Sequence, residues 1–144
     1  MLLLTSTSDK IRITTSAGSA YAVEVHATYV DNAAGTITPA RLNTSITTAT
    51  TTDVVAPPAA STQRNVRLMV VRNDHASSDT TVEIIHTDGT TVVTLWKGVL
   101  AAGEAVNHED GQFVRYSVTG ARLASPLTGP TDVQVFLASG TWTK

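Results

Sequence analysis

Between Asn65 and Gly111 the chain is a succession of short, β-branched runs cut by turn chemistry: Asp74-His-Ala-Ser-Ser-Asp79, Asp88-Gly89, the Leu100-Ala-Ala-Gly-Glu104 corner and Asp110-Gly111. Val, Ile and Thr fit a pleated, half-buried surface, and Asp-Gly accepts the positive φ of a tight hairpin turn. The pattern predicts strands over 65–73, 80–87 and 90–97 in a three-stranded meander, with a type I′ turn at Asp88-Gly89. It is the signature of antiparallel sheet, and no catalytic grouping is interleaved with it.

The rest of the chain reads the same way. Residues 21–30 alternate Tyr21, Val23, Val25, Ala27 and Tyr29 against Ala22, Glu24, His26 and Thr28, the period-2 pattern of a half-buried strand. The Asp31-Asn-Ala-Ala-Gly35 turn then joins it to a strand over 36–44, and Pro39 suits a sheet edge. Strands are also expected at Leu2-Leu-Leu4, read as the start of an unprocessed chain, and over 10–14, 105–109 and 112–118. Residues 124–144 read as a C-terminal hairpin extension with strands over 132–138 and 141–143. About nine to eleven short strands in one domain spanning 1–144 predict an all-β fold, an antiparallel β-sandwich or a jelly-roll-like barrel.

One segment resists this reading. Residues 44–63 form a Thr/Ala/Pro-rich tract with a single apolar island at Val54-Val55, followed by Pro57-Pro58. Alone it cannot bury enough apolar surface to offset its ordering entropy. It is expected to be either a surface loop or an extended arm that orders across a neighbouring subunit.

Composition narrows the function classes. The chain has 25 Thr and 17 Val, only 15% charged residues and a net charge of −2, so it has little electrostatic means of gripping a phosphate backbone or an anionic membrane. No apolar run approaches the roughly 20 residues that cross a bilayer. Neither nucleic acid nor membrane is an expected partner. A surface kept polar by Thr, Ser and Asn instead of charge suits a protein covered by copies of itself or by another protein. With no cysteine, disulfides and thiolate metal sites are excluded.

The residues that could carry chemistry are dispersed. His26, His75, His86 and His108 have no i, i+2 or i, i+4 partner, and His108-Glu109-Asp110 reads as a polar entry to a hairpin turn. Asp9, Asp53, Asp79, Asp88, Asp110 and Asp132 sit at turns or strand ends, where Asp bonds to backbone. No Gly-x-Ser-x-Gly elbow or phosphate-binding loop occurs. The expectation is a non-enzyme with no catalytic residue, cofactor or metal. The candidates for a contact surface are Val54, Val55, Pro57, Pro58, Arg64, Trp96 and Trp142. Arg64, Arg67 and Arg72 differ in parity and are not expected to form one stripe.

At Leu3-Leu-Thr-Ser-Thr-Ser-Asp-Lys10, Val25-His-Ala-Thr-Tyr-Val-Asp31, Ile46-Thr-Thr-Ala-Thr-Thr-Thr-Asp-Val-Val-Ala56 and Leu100-Ala-Ala-Gly-Glu104…Asp110-Gly111, the chain resembles small virion-associated proteins of tailed bacteriophages. The likeness covers roughly residues 1–123 and brings no catalytic residue with it. It implies a β-sandwich subunit on the virion, foremost a head decoration (cement) protein bound to the outside of the major capsid lattice. It further implies a homo-oligomer, favouring a trimer, with residues 44–63 as a candidate arm. Attachment at the tail, neck or fibre, with receptor or glycan binding, is the second implied role.

Overall fold

The computed structural model of the protein describes residues 1–16 and 22–123. Within them ten strands and no helix build two antiparallel sheets, a β-sandwich. The strands are β1 (Leu2–Leu4), β2 (Lys10–Thr15), β3 (Val23–Ala33), β4 (Thr36–Ile46), β5 (Thr51–Val55), β6 (Thr62–Asn73), β7 (Thr80–Thr87), β8 (Val92–Leu100), β9 (Ala105–Glu109) and β10 (Gln112–Tyr116). The first sheet has the order β10-β9-β6-β3-β4, with β1 also paired to β6; the second has the order β5-β2-β7-β8. Along β6, β1 covers Arg64–Val66 and β9 covers Met69–Arg72, so the two share one side of that strand.

Period-2 alternation supplies the core. Ile11 and Ile13 from β2, and Val82 and Ile84 from β7, meet Val25 and Ala27 from β3 and Met69 and Val71 from β6 in one apolar cluster. Full burial of each Val, Ile or Met contributes about 1.5–3 kcal/mol. The crossing from β1 to β2 is tied by Asp9, whose carboxylate accepts from the Thr5 N–H at 2.6 Å, the Ser6 N–H at 3.0 Å and the Ser6 hydroxyl at 2.9 Å. Those donors, led by the Thr5 N–H, hold the Asp9 carboxyl below its ordinary range.

The β3–β4 hairpin is longer than the sequence suggests. Asp31 and Asn32 are paired in the strand with Thr38 and Ile37, leaving Ala34-Gly35 alone as the turn, with φ of 49° and 87°. The Asn32 side-chain oxygen accepts the Gly35 N–H at 3.2 Å, which stabilises the Ala34 conformation locally. Among the described residues β4 pairs with β3 alone, so Pro39 lies on an edge of the described sheet. Asp110-Gly111, with φ of 48° and 81°, is the other two-residue turn of this kind. Asp88-Gly89 is not one: β7 and β8 are joined through residues 88–91, with the Asp88 carboxylate accepting the Thr90 and Thr91 N–H groups.

Two sequence-based expectations need correction. The three runs at 65–73, 80–87 and 90–97 do not form a meander, because β6 belongs to one sheet and β7 and β8 to the other. Asn73 anchors the crossover: its amide donates to the carbonyls of Ser78 at 2.8 Å and Leu100 at 3.0 Å, and its side-chain oxygen accepts the His75 N–H. Residues 44–63 are not a loop throughout. Residues 44–46 finish β4, Thr51–Val55 is an edge strand on β2, and residues 62–63 open β6. The tract orders because β2 offers a ladder in the same chain, with Thr14 and Thr51 hydroxyls 2.8 Å apart. A register shift opposite Ile11/Arg12 lets adjacent Val54 and Val55 both reach the core. The 124–144 extension lies outside the described residues.

Candidate interaction face

Most of the proposed contact residues turn out to hold the fold together. Val54 and Val55 are 0% exposed and cannot form an external surface, a correction whose cause is the β5 bulge. Pro58 is buried and Pro57 half-buried in the connection that follows. Arg64 is 9% exposed and pairs with Asp31 of the same chain at 2.8 Å. Trp96 is half-buried against the core, and Trp142 lies outside the described residues.

The histidines occupy four unrelated environments. His26 on β3 shares a 2.6 Å hydrogen bond with Asn43 on β4. His75 caps its own loop, its Nδ1 accepting the N–H groups of Ser77 and Ser78 at 3.1 and 2.8 Å. His86 sits opposite Ile11 on the inner side of β7. His108, 1% exposed, points into the sandwich with its ring 5.1 Å from that of Phe113. Burial, aided by the N-terminal ammonium, keeps its pKa below the usual imidazole value, so it is a neutral core residue at pH 7. Adjacent Glu109 points to the opposite face and meets the Tyr116 hydroxyl. Among the described residues no three His, Cys, Asp or Glu side chains converge to hold a metal ion.

The surface chemistry lies in the two outer sheet faces, which differ in charge balance. Across β5-β2-β7-β8, Asp53 accepts from Lys10 at 2.8 Å and Arg12 at 2.7 Å, while Glu83 accepts from Lys97 at 3.0 Å and Thr94 at 2.7 Å. Lys10 foremost holds Asp53 below the normal carboxylate range. Each of these charged side chains is held in an ion pair on this face.

The outer face of the β6-β3-β4 strip is built differently. On β3 the outward residues are Glu24, His26, Thr28 and Val30; their partners on β4 are Ser45, Asn43, Arg41 and Pro39. Two depressions lie along it. One, of about 380 Å³, runs between His26, Asn43, Val70 and Arg72. The other, of about 470 Å³ and open to solvent, is lined by residues that include Thr28, Val30, Pro39, Arg41 and Arg67. The first half of β4 is open to solvent: every residue from Thr36 to Arg41 is exposed, and Ile37 is 62% exposed.

Arg41 and the cleft it borders were not legible as a site. Arg67 reaches the cleft at a register shift in β6, where Thr28 pairs with Leu68 and Tyr29 with Val66, so Arg67 has no partner on β3. The same shift reverses the parity of the strand, placing Arg64 inside while Arg67 and Arg72 are exposed. Nothing in the spacing of 64, 67 and 72 announces a bulge. No protein-family model, curated protein or solved structure matches this chain.

Proposed function

We propose that the protein is a non-enzymatic structural component of a tailed-bacteriophage virion, a decoration protein that binds the outside of the major capsid lattice and stabilises the head. The observation that carries this reading is the open edge of the first sheet: the first six residues of β4, Thr36–Arg41, are all exposed and include a single charged side chain. An exposed, weakly charged strand edge suits a repeated protein contact. The motif resemblance to small virion proteins supplies the biological setting, with the oligomer it implies, a trimer, as part of the proposal. Weak contacts made by many copies suffice, because bridging raises the effective concentration of each second contact.

The test is localisation on intact particles by cryo-electron microscopy, with the oligomer mass read by light scattering. Regular density over the head lattice supports the decoration role. Density confined to tail, neck or fibres would replace it with the attachment role, and absence from purified particles would overturn both.

A further inference from the structure

We propose that the Arg41–Arg67 cleft is a docking site for a carboxylate-bearing, partly apolar segment of a partner protein; this deepens the virion reading by naming the contact face and the chemistry it takes. The charge inventory motivates it. Of the nine described Lys and Arg side chains, six (Lys10, Arg12, Arg64, Arg72, Lys97 and Arg115) are in ion pairs. Two of the remaining three, Arg41 and Arg67, line the same cleft. They arrive from different strands. Arg41 is opposite Thr28 on β4, and Arg67 comes from the β6 bulge. Bulges commonly re-aim a side chain at functional positions.

No described acid neutralises the cleft from within. Asp31, close in sequence, is turned inward and held by Nε and Nη2 of Arg64 at 2.8 Å each. Glu24 shares the outer face but lies four residues up β3 from Thr28, about 13 Å away at strand rise, a distance over which exposed charges are largely screened. The two guanidinium groups therefore keep their capacity to donate paired hydrogen bonds to carboxylates.

The walls argue for polypeptide over a simple anion. Val30 and Pro39 form the apolar side of the cleft, and Ile37, opposite Asn32, extends the same face toward the hairpin tip. Along β4 the outward sequence is Ile37, Pro39, Arg41, which is complementary to an extended segment with acidic and apolar side chains. Nucleic acid is disfavoured: two cations release few counterions, and the chain is net negative at −2. Neither arginine packs in the core, so both can be replaced without loss of the fold.

The experiment uses the full-length, ¹⁵N-labelled protein and an Arg41→Glu/Arg67→Glu double variant whose melting curve is matched to wild type. The probes are a synthetic Asp-Leu-Glu-Val-Asp peptide, its Asn/Gln counterpart, inorganic phosphate and a short single-stranded oligonucleotide. The acidic peptide is expected to shift the amides of Thr28, Val30, Arg41 and Arg67, with binding about tenfold or more weaker in the double variant. No shift on this face, equal shifts with phosphate or the oligonucleotide, or equal peptide binding by the variant would overturn the proposal. A parallel co-sedimentation with purified particles separates the two readings. Wild-type protein that binds the peptide but not particles defeats the virion role alone, whereas particle binding retained in full by the double variant defeats the cleft alone.

Discussion

The guanidinium carbon of Arg64 lies 4.0 Å from the centroid of the Tyr29 ring, so a residue that resembles a surface cation is fixed against the side of the sandwich. From there Nε and Nη2 donate to the two oxygens of Asp31, and Nη1 donates to the Ala56 carbonyl at 2.8 Å. One side chain thus ties β6 to β3 and to the connection after β5.

Arg64→Ala is expected to destabilise the protein by about 3 kcal/mol, since it strands a half-buried carboxylate and uncovers Tyr29. Arg64→Lys should recover less than half, because an ammonium cannot reproduce the two-pronged contact. Arg64 holds the Asp31 pKa below the ordinary carboxylate value. The gap between wild type and Arg64→Ala should therefore be full above about pH 4 and narrow as pH falls through the lowered Asp31 pKa, leaving the part due to the Tyr29 and Ala56 contacts. Urea unfolding at a series of pH values measures this.

Asn73→Asp tests the anchor of the β6–β7 crossover. Asn73 is 0% exposed and donates to two carbonyls; an aspartate there would face them with no proton to give. A loss of about 2–4 kcal/mol at neutral pH is expected; burial beside two carbonyls raises the folded pKa of the new carboxyl, so part of the loss is regained as pH falls through that raised pKa, and the regain is complete by about pH 4. Unfolding curves of the variant at neutral and acid pH decide the matter.

His108 should give the fold a pH-dependent stability. Its folded pKa is lowered by burial, so below the unfolded imidazole value of about 6.5 the unfolded chain binds more protons than the folded one. Stability should fall as pH drops from about 7 toward 5, and His108→Leu should flatten that part of the profile. Thermal melts of both proteins across the range are the measurement. Parallel profiles would remove His108 as the cause.

Gly98 is required by its neighbour. A Cβ at this position would come within 2.7 and 2.8 Å of the Trp96 ring. Gly98→Ala is expected to displace that ring and cost about 1–3 kcal/mol. In a Trp142→Phe background, the emission maximum of Trp96 reports the displacement directly.

The local architecture was legible where the period-2 pattern met turn chemistry. β2, β7, β9 and the inward Val23, Val25 and Ala27 of β3 lie where alternation places them, because burial of one face leaves no other register. Asp110-Gly111 is the expected two-residue turn, while Ala34-Gly35 took over the role expected of a longer loop because Asp31 and Asn32 found partners on β4. For the candidate surface the sequence led astray: Val54, Val55 and Arg64 appeared available only because their partners, β2 and Asp31, are distant in the chain.

By itself the sequence determined the all-β class, most strand positions and the scarcity of charge, since these follow from side-chain shape, local periodicity and composition. Only the tertiary structure decided that β6 and β7 lie in different sheets, that Thr51–Val55 of the Thr-rich tract becomes an edge strand, and that Arg41 and Arg67 line one cleft with Thr28. Sheet choice and bulge position depend on which distant strand offers a ladder and a core to fill, and that information is spread over the whole fold instead of residing in any one segment.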